Sequence, residues 1–351
     1  MSTIKKQILY MIFIFLCGFS CTQKGNDKDA SLDYILPTDS LSVFLGIPVY
    51  SEFFDNKLFV FDIFGEDGFV KVIDMQKDST LFSIAKRGSG PNEYLHVSNI
   101  DIYKERDSVF VALLDPVQKK YYKYLYEDLM TMQDKTLPNK KIDVETGVLL
   151  TNMLNVSPSC FLASGLTEKG KFISLDKDLK EIGVYGKYRP KPNSSIPDIV
   201  HARANLGKIF ISPDKKTIGS IINNAGVLEV YKINDNIPYL SNEYIIDDID
   251  YKMDGSNILN EKIGYLSGTM SDRFIYVLYS GEKEDRNSDA IATYGHEVHI
   301  FNYDGDLLKK IDIQRSAFDI SIDGDNNILY VVSHVPESTI YIYKLDELVE
   351  H

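Results

Sequence analysis

The residues in this sequence that could do chemistry are scattered acids, arginines and histidines, with no compact catalytic motif among them. There is no Gly-x-Ser-x-Gly segment, and no serine, histidine and aspartate can be grouped by spacing into a hydrolase triad. Acidic residues are so abundant that assigning two of them as a glycosidase acid and nucleophile would be arbitrary. The sequence therefore predicts no catalytic residue, and we interpret the chain as a non-enzymatic protein.

Histidines come next, because imidazole is a common ligand of divalent metal ions. The chain has six histidines. His296 and His299 are three residues apart on a predicted strand, which points them to opposite faces and prevents them from chelating one ion. We predict no metal site and no cofactor. A metal site shared by several repeats remains the alternative.

Binding is the function that the remaining polar residues favour. Arginine and tyrosine at a concave surface suit a carbohydrate, a carboxylate or a peptide. The candidate ligand-binding residues lie in predicted loops that we expect at one end of a ring of strands: Arg87, Glu93, Tyr94, Arg189, His201, Arg203, Asn223, Arg286 and His334. The expected ligand is an unidentified carbohydrate, peptide or protein, and nucleic acid is excluded by the formal net charge of −13.

One loop is distinctive. Residues 88–94 read Gly-Ser-Gly-Pro-Asn-Glu-Tyr, and this combination predicts a sharp, rigid junction between two strand-rich segments. Tyr94 is expected to pack while its hydroxyl stays near water. A glycine-rich loop could instead bind phosphate, but that requires a helix directly after it, and residues 92–102 predict a strand.

The elements that must position these loops are short strands. Tyrosine, phenylalanine, valine and isoleucine dominate the apolar content, in short runs separated by turn residues, which predicts an all-β fold. Hairpins recur with first strands near residues 57, 108, 160, 216, 273 and 327. This period of about 51 to 57 residues leaves room for four strands in each repeat and predicts a six-bladed β-propeller. A β-sandwich would fit the composition but not the even spacing.

Closure of the ring follows from the ends of the chain. The final hairpin ends close to the C-terminus, so the last blade lacks one strand. Residues 41–45 form an apolar run that we expect to supply it. Pairing of the N-terminal and C-terminal strands would close the propeller and remove an exposed sheet edge.

The N-terminus predicts export. Lys5 and Lys6 precede an apolar run from residue 8 to residue 19, which is too short to span a bilayer and ends at small residues before Cys21. We interpret residues 1–20 as a lipoprotein signal peptide, 21–31 as a flexible tether and 32–351 as the propeller. The alternative is ordinary cleavage that leaves Cys21 free.

An acyl chain on Cys21 would hold the protein at a membrane, because an acidic chain has little attraction for anionic lipid. We expect an outer-membrane lipoprotein that faces the periplasm or the cell surface and is a monomer. Cys160 lies in an apolar, strand-like run and is expected to be buried without a disulfide partner.

The junction motif, residues 275–281 and residues 298–305 together resemble the TolB-like six-bladed propeller lipoproteins of Bacteroidetes-type bacteria. The resemblance covers residues 32–348 and implies a fold, an export route and a membrane anchor. It carries no catalytic residues, since the family has no settled activity. The second functional hypothesis is therefore a metal-dependent propeller hydrolase or lyase that acts on a carbohydrate or related small substrate, with its ion in the central channel.

Overall fold

A computed structural model describes residues 31–252, 263–282 and 294–345. These residues form six antiparallel sheets arranged as the blades of a propeller. The first strand of each blade lies innermost, and these inner strands contact one another around the ring. The predicted all-β, six-bladed architecture is confirmed.

The first three blades use consecutive strands. Blade 1 comprises β3 (Pro48–Phe54), β4 (Lys57–Asp62), β5 (Val70–Asp74) and β6 (Ser79–Ile84). Blade 2 comprises β7 (Asn99–Glu105), β8 (Ser108–Asp115), β9 (Lys120–Leu125) and β10 (Lys140–Asp143). Blade 3 comprises β11 (Leu149–Ser157), β12 (Cys160–Leu166), β13 (Phe172–Asp176) and β14 (Glu181–Tyr185).

The last three blades include both ends of the described chain. Blade 4 comprises β15 (Ile209–Ile211), β16 (Thr217–Ile222), β17 (Val227–Asn234) and β18 (Ile237–Ile245). Blade 5 comprises β19 (Tyr265–Met270), β20 (Ile275–Tyr279), β21 (Gly295–Phe301) and β22 (Leu307–Ala317), with β1 (Leu32–Tyr34) added in parallel. Blade 6 comprises β23 (Asp319–Asp323), β24 (Ile328–Ser333), β25 (Thr339–Lys344) and β2 (Asp39–Ser42).

The hairpins that mark the sequence repeat are the second and third strands of each blade. The second strands are buried on both faces between neighbouring blades, which explains their nearly continuous apolar composition. The first and fourth strands contain fewer apolar residues, so they are harder to recognise from sequence.

Ring closure occurs as expected, with a small shift in position. β2 pairs antiparallel with β25, and Leu41 lies opposite Ile340. The closing strand is Asp39–Ser42 rather than residues 41–45. Val43 and Leu45 instead turn into the core between blades 6 and 1.

The two ends of the ring differ. We call the loop end the one that carries the connections between blades and between the second and third strands of each blade. The turn end carries the remaining connections. Within the described residues, two short α-helices interrupt the strands. The helix α1 (Tyr126–Met132) continues into a 3-10 helix (Gln133–Lys135) between β9 and β10, and α2 (Asp198–Ala204) lies in the connection between blades 3 and 4.

Some local expectations need correction. The predicted strand over residues 92–102 begins only at Asn99, because the preceding residues continue the junction loop.

Cys160 is buried in β12, as predicted, and burial raises the pKa of its thiol. Among the described residues, no helix has the length and apolar character needed to cross a membrane.

Candidate functional site

The central channel is crossed by a buried ionic network. Asp319, at the start of β23, is 1% exposed. Its Oδ2 accepts hydrogen bonds from the amide and hydroxyl of Ser51 at 2.6 and 2.7 Å. Its Oδ1 accepts from the Nζ of Lys208 at 2.6 Å and from the hydroxyl of Ser267. Four blades therefore meet at one carboxylate.

Lys208 reaches across the ring to make this contact. It immediately precedes β15 of blade 4, and its Nζ also donates to the carbonyl of Val49 in blade 1 at 3.1 Å. The same ammonium lies 5.0 Å from the centroid of the Tyr50 ring. The Lys208 ammonium is therefore held by a carboxylate, a carbonyl and a ring face.

Two further carboxyl groups line the channel. Burial raises the pKa of Glu52 to about 8, and Tyr50 donates a hydrogen bond to its Oε2 at 3.0 Å. Burial also raises the pKa of Asp101 to about 6, although the amide of Asn155 donates to it at 2.8 Å. Within the described residues, no cluster of three or more histidine, cysteine, aspartate or glutamate side chains could hold a metal ion.

At the loop end, the junction over residues 88–94 is held by its own glutamate. The Oε2 of Glu93 accepts a hydrogen bond from the amide of Gly90 at 2.8 Å. Gly88 has a φ of +152°, and a Cβ placed there would lie 2.0 Å from the same carboxylate oxygen. The two glycines are therefore needed because the Glu93 side chain folds over them.

Tyr94 fixes the other side of this loop. It is fully buried, its ring centroid lies 4.1 Å from that of Tyr122, and its hydroxyl is 2.6 Å from that of Tyr124. The expectation that the Tyr94 hydroxyl stays near water is wrong, because Tyr124 supplies its hydrogen-bond partner inside the protein. Tyr94 anchors the junction between blades 1 and 2.

Two candidate residues lie near the closure between blades 6 and 1. Arg87 donates to the carbonyl of Ile63, and its guanidinium lies 4.1 Å from the ring centroid of Phe69. The Nδ1 of His334 lies 2.8 Å from the hydroxyl of Ser338, which in turn donates to the carbonyl of Leu45 at 2.8 Å. Both side chains therefore support the loops on either side of the closure.

Those loops carry exposed aromatic rings. Phe44 is 75% exposed and Phe64 is 59% exposed. Asp62 positions them, since its carboxylate accepts hydrogen bonds from the amides of Gly46, at 2.6 Å, and Phe64, at 3.1 Å. We define the seam patch as Phe44, Phe64, Arg87, His334 and Val335.

A second group of candidates surrounds α2. Arg189 pairs with both carboxylate oxygens of Asp248, at 2.9 and 3.0 Å, and with Glu243. The Nδ1 of His201 lies 2.7 Å from the Tyr251 hydroxyl, and burial lowers the pKa of this imidazole. These contacts hold α2 against blades 3 and 4.

The remaining three candidate residues, Asn223, Arg203 and Arg286, lie in three different parts of the chain. Asn223 donates to the carbonyl of Tyr265 at 2.8 Å and thereby joins blades 4 and 5. Arg203 is exposed on α2. Arg286 lies outside the described residues. The eight candidates in the described part of the chain are thus spread over the seam patch, the junction, the α2 region and the contact between blades 4 and 5, and they do not converge on one cavity.

Sequence reasoning missed Phe44, Phe64, Lys208 and Asp319. In the sequence, a phenylalanine next to a strand looks like a core residue, so nothing indicated that Phe44 and Phe64 are exposed. Lys208 and Asp319 are 111 residues apart and come together only when the ring closes.

Known proteins share this architecture. A structure of a member of the duf4221 family from Bacteroides vulgatus is 12% identical with a TM-score of 0.58, and the match covers 87% of this chain and 96% of that one. A structure described as a calcium-binding protein, regucalcin, from Agrobacterium tumefaciens is 11% identical with a TM-score of 0.53, covering 90% and 97%. Raptor from Chaetomium thermophilum is 12% identical with a TM-score of 0.51, covering 92% and 30%.

At these identities the three structures show a shared fold alone. A search of curated protein sequences gives no match. The model of the TolB-like 6-blade propeller-like family matches residues 31–325. The chain therefore belongs to the TolB-like 6-blade propeller-like family.

Proposed function

We propose that this protein is an exported lipoprotein, acylated at Cys21, that binds a ligand or protein partner through the loop end of its propeller and catalyses no reaction. The observation that carries this proposal is the seam patch. Two exposed phenylalanine rings are held in fixed loops beside an arginine and a histidine. Aromatic side chains and arginine are the residue types most enriched where proteins bind partners.

The loop end differs from the turn end in its tight turns, although the blade 2 insertion at the turn end also exposes Met132 and Leu137. The tight turns there are polar, for example Asp55-Asn56, Arg106-Asp107 and Asp325-Asn326. The loop end exposes further apolar side chains, including Leu95 at 47% and Val117 at 59%. An exposed apolar surface with a polar rim favours recognition of a partner.

The network of Asp319 and Lys208 supports a structural role for these two channel residues. The carboxylate of Asp319 accepts four hydrogen bonds, and the Lys208 ammonium donates to Asp319 and to the carbonyl of Val49. These hydrogen bonds connect blades and leave both side chains paired within the protein. Recognition is therefore assigned to the loop end, and the ligand class is a carbohydrate, a peptide or a protein.

Membrane attachment is tested by replacing the acylated cysteine. In the full chain expressed in a diderm bacterium, Cys21→Ser should abolish incorporation of labelled palmitate and release the protein from membranes. Cys17→Ser is the matched control, because it alters a thiol in the same segment without touching the proposed acylation site. Palmitate incorporation that persists in Cys21→Ser would contradict the anchor.

Partner binding is tested with the double variant Phe44→Ser/Phe64→Ser of the full chain in detergent. We expect at least about tenfold lower recovery of a specific partner from solubilised membranes of the native cells, a loss of roughly 1.4 kcal/mol. The control is Ile182→Ser/Ile237→Ser, which removes exposed apolar side chains from outer strands. An equal fall in both variants would contradict the assignment of the loop end.

A further inference from the structure

A cleft of about 800 Å³ lies apart from the channel and the seam patch. One wall is residues 81–86, which comprise the end of β6 and its continuation. The opposite wall is residues 133–138, in the insertion of blade 2. Asn92 and Glu93 of the junction also line it, as does Tyr124. The cleft thus uses the sequence motif that is most distinctive in this chain.

The first wall is the free edge of a sheet. β6 is the outermost strand of blade 1, and no further strand among the described residues pairs with it. On its outer edge, β6 carries the peptide N–H and C=O groups that do not bond to β5, and the unbroken run 81–86 lines the cleft along this edge.

The second wall is an addition to the propeller. Blades 1, 3 and 4 join their third and fourth strands through residues 75–78, 177–180 and 235–236, whereas blade 2 uses residues 126–139. The buried side chains of Tyr126 and Leu129 fix this insertion to the blade, and its 3-10 helix packs against β6. The insertion therefore places residues 133–138 beside β6, as the second wall of the cleft.

Both walls contain backbone strain. Ala85 has a φ of 61° and Gln133 a φ of 57°, values that cost energy for a residue with a Cβ. One of these residues lies on each side of the cleft. Strained backbone of this kind persists where the surroundings hold it, which is common at binding sites.

We propose that this cleft binds an extended peptide segment, which adds as a strand to the free edge of β6. Strand addition satisfies the exposed backbone groups, and pockets along the edge select alternate side chains. Leu81 and the 59% exposed Leu137 offer apolar contacts. Asp67 and Asp134 are exposed carboxylates, against Lys86 as the one cation lining the cleft among the described residues, so the peptide carries a basic side chain. The site is independent of the loop-end proposal.

The test selects short random peptides displayed on phage against the full chain in detergent. Enriched peptides should combine lysine or arginine with apolar residues. Bound to the protein, a synthetic copy should slow hydrogen exchange of the β6 amides. The amides of β14, the outermost strand of blade 3, should exchange at an unchanged rate, because β14 does not line the cleft.

Two variants of the cleft should change the affinity for peptide in opposite directions. Asp134→Arg/Leu137→Lys should weaken peptide binding by about tenfold or more, whereas Lys86→Glu should strengthen it, because each changes the charge of the cleft. The matched control Asp272→Arg/Leu308→Lys alters an exposed aspartate and an exposed leucine elsewhere and should leave affinity unchanged. Failure to enrich any peptide, protection away from β6, or affinity indifferent to both cleft variants would overturn the proposal. A sugar that protects the β6 edge in place of peptides would overturn it as well.

Discussion

The central channel and the seam patch reverse the usual placement of side chains, because the channel encloses charged groups and the seam patch exposes apolar ones. In the channel, Asp319 and Lys208 are surrounded by protein and pair with each other. At the seam patch, Phe44 and Phe64 remain uncovered, although Asp62 fixes the loops that carry them. The comparison teaches that polar groups hold this ring together from within, while its apolar groups at one end remain available for contact.

The largest effect on stability is expected at Asp319. Asp319→Ala would leave the Lys208 ammonium without its carboxylate in a buried site, and loss of one partner of a buried pair costs about 3–5 kcal/mol. Chemical denaturation of the full chain in detergent measures this loss. Asp325→Ala, in an exposed turn, is the control and should change stability by less than about 0.5 kcal/mol. A loss at Asp319 as small as the control would mean that the network does not hold the blades.

The junction should show the next largest effect. Gly88→Ala would place a Cβ 2.0 Å from the Glu93 carboxylate and should lower the free energy of unfolding by about 1–3 kcal/mol. Adding Glu93→Ala should recover part of this loss, because the collision partner is removed. Gly147→Ala is the matched control, since no atom lies within 4 Å of the added Cβ. Strictly additive losses in the double variant would contradict the proposed contact.

Glu52 should make stability depend on pH. Burial raises its pKa in the folded state to about 8, so folding retains a proton that the unfolded chain releases near its ordinary value. Its contribution is therefore full at low pH and is lost as the pH rises toward 8. Glu52→Gln should melt at a higher temperature than the native chain at pH above about 8, and the two should converge near pH 5.

The control for this titration is Glu337→Gln, an exposed loop substitution that should leave the pH profile of the melting temperature unchanged. A native chain whose melting temperature rises steadily between about pH 5 and 8, with Glu52→Gln following it, would show that Glu52 is not protonated in the channel.

The smallest effect on stability is expected at the seam patch. Phe44→Ser/Phe64→Ser removes two exposed rings and should change the free energy of unfolding by less than about 1 kcal/mol. The melting temperature of this variant, measured beside that of Asp319→Ala, separates the two regions directly. A large loss at the seam patch would place these rings in the core and weaken the proposal that they bind a partner.

The fold was predictable because blades repeat. Strands such as β4 and β8 are buried on both faces, so their apolar runs recur at even spacing and define the period. Closure was predictable for a related reason, since an unpaired final hairpin requires a partner strand. The helix α1 was missed because it is a single insertion, and nothing in a repeat predicts a departure from it.

The candidate site was less accessible to sequence reasoning. The candidate arginines and histidines of the described residues do lie in loops, but Arg189 and His201 pair with neighbours that are distant in sequence, such as Asp248 and Tyr251. A sequence gives the type of a polar side chain and its loop, whereas its partner depends on which blades become adjacent. For the same reason, the exposure of Phe64 became apparent only in three dimensions.

The most direct test of the central claim places a photo-crosslinking amino acid at position 64 of the full chain in its native cells. A second chain carries it at position 325, in an exposed turn at the opposite end of the ring. Recognition at the loop end predicts a discrete crosslinked partner from position 64 and none from position 325. Adducts formed equally from both positions, or from position 325 alone, would contradict the assignment of binding to the loop end.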